Sequence, residues 1–425
     1  MTMFSEILEE MVVRILSRLP PKSLVRFRSV SKLWCTIIND PSFMGKNLSN
    51  SMHNKFAPAT CIVVKHTLLK DRSITDEKEI AALMKTFEGN YNSMDLLLSL
   101  LHICNDDDGD EDNLTYVVED LELPFPSGIS PSCLQIVGHC NGIICLNNNV
   151  DVVLCNPSIR EVKVLPESCV LYDLPPTAED EDEYTAPWSN TTAMGFGLDS
   201  KAKEYKIVRV VETTSGFCNQ HPTRAEVYTM GANAWRELDN VDIGCYVYWA
   251  PSFNLHFKGT CYWWAFAPMD KELILTFDMT DELFHRIPVP DCFDFYNDDR
   301  RYRSLAVLKE SIVLLTYEAA DEVPKSFDIW MMDESAGVKG SWTKYLTFGP
   351  VEDIQFPLVF WNSEELIMVN HGSRLVSYNL GTKKLHHFPI QDVQGARNMQ
   401  AVNFVNSIIS VEGSLACGCR IENTI

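Results

Sequence analysis

Thiol and imidazole side chains are the first candidates for chemistry in this chain, but their spacing does not favour a metal site. Cys417 and Cys419 form a Cys-Gly-Cys pair without the second pair that a zinc site needs. His386 and His387 are adjacent in a strand-like segment, where successive side chains point to opposite faces and cannot chelate together. Four other cysteines lack ligand spacing and are expected to pack inside strands: Cys133, Cys140, Cys145 and Cys155. We therefore expect no metal ion and no cofactor.

The sequence also lacks the linear signatures of catalysis. It contains no Gly-x-Ser-x-Gly nucleophile turn, no phosphate-binding P-loop and no dinucleotide-binding glycine pattern. No acidic loop of the chain combines the central glycine and the terminal glutamate of a calcium-binding EF-hand. These observations favour a protein that is not an enzyme.

Carboxylates dominate the charged groups, because 58 Asp and Glu face 36 Lys and Arg, for a formal net charge of −22. Residues 1–50 carry seven basic and four acidic side chains, a net of +3, which leaves −25 for residues 51–425. Such an acidic body repels nucleic acid and anionic membranes, and it attracts basic proteins. The alternative is that the charge only keeps the protein in solution.

The densest carboxylates form three runs, over residues 105–112, 179–183 and 291–299. The first two runs are candidate substrate-binding loops with these contact residues: Asp106, Asp107, Asp108, Asp110, Glu111, Glu179, Asp180, Glu181, Asp182 and Glu183. The alternative is that each run is a solvated loop without a partner.

The cysteines and the first residues of the chain predict its cellular compartment. The chain has fourteen cysteines, and its first residues lack the basic and apolar regions of a secretory signal. The thiols are therefore expected to be reduced, as they are in the cytosol. The sequence has no run of about 18 apolar residues, so we expect a cytoplasmic protein without a membrane span.

The helical spacing of apolar residues near the N-terminus predicts a small helical module. Apolar residues recur at helical spacing over 7–19, and Pro20-Pro21 ends that helix. A second short helix is expected to begin at Ser23, and a third is expected to follow Ser29 or Ser31. Three short helices cannot bury all of their apolar faces alone, so the first helix needs a partner. A helical cap on the following domain is the alternative.

Residues 10–38 resemble an F-box. The resemblance is carried by Ile15-Leu16, Leu19-Pro20, Lys22-Ser23-Leu24, the Arg26–Arg28 pair, Val30-Ser31-Lys32 and Trp34. The chain departs from the family at Ile7-Leu8, where a Leu-Pro turn is usual. The resemblance implies docking on the Skp adaptor of a cullin–RING ubiquitin ligase, with these candidate contact residues: Ile7, Leu8, Met11, Ile15, Leu16, Leu19, Pro20, Leu24, Val30 and Trp34. Some of these residues must form the core of the module itself.

After a joining segment that runs to about residue 55, the pattern changes to many short strands separated by turn residues. One unit, an apolar strand, a polar turn and a second strand, recurs five times. Its turns open at Asn156, Thr229, Asp278, Asp333 and Asn379, which are 73, 49, 55 and 46 residues apart. Three of these intervals approach the roughly 40–50 residues of a propeller blade. The longest interval is expected to hold an insertion or a degenerate blade.

The repeats predict an all-β, six-bladed, propeller-like domain over residues 51–415. It follows the three-helix module of residues 1–50 and precedes a flexible tail over residues 416–425. Residues 77–85 and 94–101 are expected to be helical. A β-sandwich or an irregular pair of sheets is the alternative architecture.

The body resembles a plant F-box-associated domain. The resemblance lies in residues 138–146, 154–161, 195–209, 225–228, 341–344 and 376–379. Among such proteins, residues 19–27, 47–51 and 116–121 are most similar to S-locus F-box proteins. That similarity implies a pollen determinant of self-incompatibility that recognises S-RNases, which are typically basic.

The leading hypothesis is therefore a substrate receptor that binds Skp, and through it cullin and RING subunits, and delivers a basic S-RNase-like protein in the pollen tube cytosol. A plant F-box receptor for another protein is an alternative. A further alternative is a ligand-binding or catalytic propeller with an assembly module, because such sites assemble from distant loops and leave no linear motif.

Overall fold

The computed structural model describes residues 10–53, 60–69, 94–104, 115–129, 133–148, 150–171, 188–215, 219–220, 223–239, 241, 243–247, 255–268, 271–290, 301–318, 324–333, 340–393 and 395–412. Within these ranges, four helices precede 26 strands that form six antiparallel sheets.

The first two helices are joined by a tight turn and two prolines. Helix α1 covers residues 10–16, and the N–H of Leu19 then donates to the carbonyl of Leu16 at 2.9 Å. Pro20 caps α2 (Pro21–Phe27), and Pro21 stands at its first position. Proline suits this position because its φ is already helical and no N–H is needed there. The predicted start at Ser23 is wrong by two residues, because Pro21 occupies the first position of the helix.

The third and fourth helices begin at side-chain caps. The Ser31 hydroxyl accepts a hydrogen bond from the N–H of Trp34 at 3.1 Å and starts α3 (Lys32–Asn39). The Asp40 carboxylate accepts hydrogen bonds from the Ser42 hydroxyl and from the N–H groups of Ser42 and Phe43, and together these lower the pKa of Asp40. Helix α4 (Pro41–His53) follows, where the sequence predicted a joining segment. Pro41 both ends one helix and begins the next.

Strands numbered in chain order form the blades of a propeller. Blade 1 contains β1 (Thr60–Leu69), β2 (Met94–Cys104) and β3 (Thr115–Leu121). Blade 2 contains β4 (Gln135–Cys140), β5 (Ile143–Asn147), β6 (Val152–Asn156) and β7 (Glu161–Val164). Blade 3 contains β8 (Trp188–Asp199), β9 (Glu204–Ser215), β10 (Asn219–Gln220), β11 (Arg224–Thr229) and β12 (Ala234–Glu237).

The remaining blades follow the same plan. Blade 4 contains β13 (Tyr246–Val247), β14 (Leu255–Phe257), β15 (Thr260–Ala267), β16 (Lys271–Asp278) and β17 (Leu283–Pro288). Blade 5 contains β18 (Arg301–Leu308), β19 (Ser311–Glu318), β20 (Lys325–Asp333) and β21 (Ser341–Val351). Blade 6 contains β22 (Ile354–Phe360), β23 (Glu365–Asn370), β24 (Arg374–Asn379) and β25 (Leu385–Gln391).

The ring closes through a strand from the C-terminal side. A short 3-10 helix (Ala396–Asn398) leads into β26 (Gln400–Phe404), which pairs antiparallel with β1 and becomes the inner strand of blade 1. The inner strands β26, β4, β8, β14, β18 and β22 each contact the next around the ring. Closure protects the inner sheet edges, so the six-bladed prediction is confirmed and the β-sandwich alternative is excluded.

Each pair of neighbouring blades encloses one hydrophobic layer, and the six layers form the core. The alternation along β15 shows how one strand serves two layers. Cys261 and Trp263 pack toward blade 3, while Tyr262 and Trp264 pack toward blade 5. Both faces of such a strand are buried, so its sequence reads as continuously apolar.

The five predicted repeat units are the outer hairpins of blades 2–6. Their turns are built by side-chain capping. Asp278 Oδ1 accepts hydrogen bonds from the N–H groups of Thr280 and Asp281 at 2.7 and 3.0 Å, and Glu282 then takes a φ of 55°. Asn379 caps the N–H groups of residues 381 and 382 in the same way. Asx capping therefore explains why Asn or Asp recurs at the turn.

Two expectations about the body need correction or refinement. Met94–Cys104 is strand β2, paired with β1 and β3, and the helix expected over 94–101 is wrong. Leu100 faces one hydrophobic layer and Leu101 the other, which makes the run apolar without alternation. Residues 77–85 lie outside the described residues. Blades 2 and 3 are each complete, so the interval of 73 residues holds an insertion after β7 and no degenerate blade.

Candidate functional site

The helical module has a buried core that its own helices supply for the most part. Leu16 and Leu24 are 2% and 0% exposed, and Trp34 packs edge-on against Phe27 with ring centroids 5.3 Å apart. Leu19 is partly buried against the same cluster. Four of the predicted Skp-contacting residues therefore contribute to the core of the module, with Leu16 and Leu24 fully buried and Leu19 and Trp34 partly buried.

Other apolar side chains of the module face solvent. Met11 and Ile15 are 58% and 60% exposed, and they stand one helical turn apart on α1. Val30 and Leu33, just before and within the first turn of α3, are 60% and 54% exposed. Leu33 is absent from the predicted contact residues, although its apolar character beside Val30 was a usable signal.

The remaining predicted contacts fall elsewhere. Pro20 is exposed and lines a cavity between the helical module and the propeller, together with Lys22, His102 and Phe404. Ile7 and Leu8 lie outside the described residues.

The helical module packs against blades 1 and 2. Ile408, which follows β26 and is 1% exposed, packs in the core cluster of the module with Ile159 from the β6–β7 turn. Lys22 Nζ lies 2.7 Å from Glu119 Oε1 on β3, with both side chains half-exposed. The apolar contact supplies most of the stabilisation, because a solvent-exposed ion pair contributes about 1 kcal/mol at most.

Hydrogen bonds hold the segment that carries Ile408. The Asn156 amide donates to the carbonyls of Ser407 and Ile409 at 3.1 and 2.8 Å. A side chain at Gly142 would collide with Ser407, so glycine is needed where the β4–β5 turn meets this segment. The segment after β26 and two turns of blade 2 thus together form the surface on which the helices pack.

The predicted substrate-binding acids cannot be placed in the same way. All ten, from Asp106 to Glu111 and from Glu179 to Glu183, lie outside the described residues, as does the looser run over 291–299. Their role stays a prediction.

Cys145 and Cys155 are buried in β5 and β6, and Cys140 is partly buried at the end of β4. Cys133 lies before β4, so the expectation that it packs inside a strand is wrong. Burial raises the pKa of Cys155 to about 12, and burial likewise raises the pKa of Cys145. Such thiols stay protonated at neutral pH, which makes them poor nucleophiles and poor metal ligands. Within the described ranges, no three His, Cys, Asp or Glu side chains are grouped to hold a metal ion.

Two known families match the chain in the order that the fold suggests. Residues 4–45 match the F-box domain, and residues 98–411 match the F-box associated beta propeller domain. The chain belongs to the F-box proteins with an F-box associated beta propeller domain. The helical module is the F-box, and the six blades are the associated domain.

Relatives in Arabidopsis thaliana align with this chain over most of their length. The F-box/kelch-repeat protein At3g23880 is 25% identical over 92% of this chain and 92% of its own. The F-box protein CPR1 is 24% identical over 97% of this chain and 89% of its own. In the described part of the chain, no helix is long and apolar enough to cross a membrane.

Proposed function

We propose that this F-box protein is the substrate-recognition subunit of an SCF-type cullin–RING ubiquitin ligase. The observation that carries the proposal is the exposure of four apolar side chains of the F-box, Met11, Ile15, Val30 and Leu33, which take no part in its buried core. Exposed apolar side chains on short helices favour docking into a partner's groove. The Skp adaptor is the partner that the F-box family implies.

In this role the protein performs no covalent chemistry. The F-box attaches the chain to the ligase, and the propeller holds a target protein. Tethering raises the effective concentration of the target's lysines near the ubiquitin donor. We place this function in the cytosol.

Adaptor binding can be tested without disturbing the F-box core. The double variant Ile15→Asp with Val30→Asp places charge on the exposed surface, and we expect it to bind purified Skp at least tenfold more weakly. Leu283→Asp is the matched control, because Leu283 is 55% exposed on the outer strand of blade 4. Circular dichroism and co-purification with cullin are measured for both variants. Unchanged Skp affinity in the double variant would contradict the proposal.

We further propose that the target is a basic S-RNase, recognised in the pollen tube during self-incompatibility. Support comes from the net charge of −25 on residues 51–425 and from the similarity of residues 19–27, 47–51 and 116–121 to S-locus F-box proteins. The negative charge of the receptor speeds its encounter with a basic ribonuclease. Their binding weakens at higher salt, because the salt screens the charges.

The target proposal has a separate test. Purified style S-RNases are titrated against the protein at about 50 mM and about 300 mM salt, and binding is expected to weaken at the higher value. Skp binding without any ribonuclease binding would assign the receptor a different protein target.

A further inference from the structure

We propose that the propeller face turned away from the F-box docks a basic protein, and that Trp188, Tyr246 and Tyr302 anchor it. We call these three side chains the aromatic rim. The proposal rests on the receptor function proposed above and identifies the surface that would carry it.

The F-box face is traced by contacts between turns. Ile159 of the β6–β7 turn packs in the F-box core, so this side of blade 2 faces the F-box. Asn141 of the β4–β5 turn donates from Nδ2 to the hydroxyl of Tyr205, at the start of β9, over 3.0 Å. The β8–β9 turn of blade 3 therefore lies on the F-box face as well.

Blades 4 and 5 continue this face. Lys201 Nζ in the β8–β9 turn lies 2.9 Å from Asp281 Oδ1 in the β16–β17 turn. Lys258 Nζ in the β14–β15 turn donates to the carbonyl of Glu310 in the β18–β19 turn over 3.1 Å. The turns that join the first and second strands of blades 2–5 thus share the side that holds the F-box.

The aromatic rim lies at the other end of the same strands. Trp188 pairs with Thr214 at the far end of blade 3. Tyr246 and Tyr302 hold the corresponding positions in blades 4 and 5, opposite Phe266 and Tyr317. Strand β8 takes eleven residue steps from Trp188 to Asp199, on the order of 35 Å. The rim therefore faces away from the F-box.

Exposure and position make the rim more than scattered surface residues. Its members are 57%, 53% and 42% exposed in chain order. Trp188 is the first residue of β8, Tyr246 the first of β13 and Tyr302 the second of β18, in three consecutive blades. Single exposed apolar residues are common on protein surfaces, but a repeated aromatic at one end of adjacent blades is not explained by packing. Trp and Tyr are also the side chains most often found as interface anchors.

Tyr302 is already ordered for binding. Its ring lies 5.8 Å from the ring of Tyr317, and its hydroxyl accepts a hydrogen bond from Arg397 Nη2 at 3.4 Å. A side chain held in place before binding loses less conformational entropy when a partner arrives.

Charge and ring chemistry together select a basic partner. The propeller region belongs to the part of the chain with a net charge of −25. At the rim itself, the exposed Glu318 lies opposite Arg301 in the β18–β19 pair, and Arg397 contacts Tyr302. The faces of Trp and Tyr rings attract Lys and Arg side chains through cation–π contacts. A propeller region of net negative charge that exposes aromatic faces therefore complements a protein rich in Lys and Arg.

The rim is tested with the triple variant Trp188→Ala, Tyr246→Ala, Tyr302→Ala. Tyr345→Ala is the control, because Tyr345 is 40% exposed on β21, the outer strand of blade 5. The probe is a purified basic style ribonuclease, titrated without ligase subunits. We expect the triple variant to bind at least tenfold more weakly. We expect Tyr345→Ala to stay within about twofold, which corresponds to about 0.4 kcal/mol.

The outcomes separate this proposal from the adaptor function. Skp affinity and the urea midpoint should be unchanged in the triple variant, which shows that the fold and the F-box are intact. The rim proposal is overturned if the triple variant binds the ribonuclease with wild-type affinity, or if Tyr345→Ala loses as much affinity as the triple variant. It is also overturned if the unaltered protein does not bind the ribonuclease. Failure to bind Skp would overturn the adaptor function and leave the rim measurement valid.

Discussion

At the scale of single residues, a glycine decides how closely two neighbouring blades approach. A Cβ on Gly195 of β8 would lie 2.5 Å from Cys261 Sγ and 2.9 Å from the Trp263 ring in the next blade. The Trp263 indole also donates to the Met194 carbonyl at 3.0 Å, which fixes the ring against β8. The glycine thus permits a hydrogen-bonded contact between blades 3 and 4.

Gly195→Ala is expected to destabilise the protein by about 1–3 kcal/mol, because the added methyl must displace a buried sulfur and a buried indole. Gly45→Ala is the control, since a Cβ there meets no atom within 4 Å and the residue lies inside α4. That change should stabilise the helix by about 0.5–1 kcal/mol. Urea unfolding measures both, and effects of the same sign would contradict this account.

At the scale of elements, the F-box is a unit whose core borrows a residue from the propeller. Ile408 is buried among F-box side chains, although it follows β26 of the propeller. Such a contact sets the orientation of α1–α4 on blades 1 and 2. A fixed orientation matters for a receptor, because it places the bound target relative to the adaptor.

Ile408→Ala should loosen this attachment by about 2–5 kcal/mol through the cavity that it leaves. We expect faster hydrogen exchange in the amides of α2, α3 and α4, with little change in blades 3–5. Ile287→Ala is the matched control, since Ile287 is 4% exposed in the layer between blades 4 and 5. Exchange that rises equally in the F-box for both variants would show that Ile408 has no special role.

At the scale of the whole molecule, the inner strands converge on a crowded centre. His139 of β4 and His256 of β14 lie on inner strands that contact each other. A side chain at Gly197 would collide with the His256 ring. Burial lowers the pKa of His139 to about 4, and burial together with the nearby His139 lowers the pKa of His256 to about 4.

The two histidines predict a loss of stability in mild acid. Their pKa values in the folded protein lie below the unfolded value of about 6.5, so the unfolded chain takes up protons first. Their contribution is present above about pH 6.5 and is lost as the pH falls toward 4. Between pH 7 and 4.5, the urea midpoint of the double variant His139→Gln, His256→Gln should fall less than that of the unaltered protein. Parallel pH profiles would refute the assignment.

The local part of this structure was predictable from the sequence. Capping at Ser31, the Asx turns at Asp278 and Asn379, and the repeat of outer hairpins all depend on residues a few positions apart. The F-box pattern was readable for the same reason. Even so, Pro41 shows a limit, because one residue can end a helix and begin another.

The tertiary structure alone decided which apolar residues are available to a partner. Leu16 and Ile15 are neighbours of the same chemical type, yet one is buried and the other is 60% exposed. The apolar run of β2 became a strand because two blades cover both of its faces, and β26 closed the ring through a partner more than 300 residues away in sequence. Burial and closure depend on distant parts of the chain, and no local pattern of residues contains them.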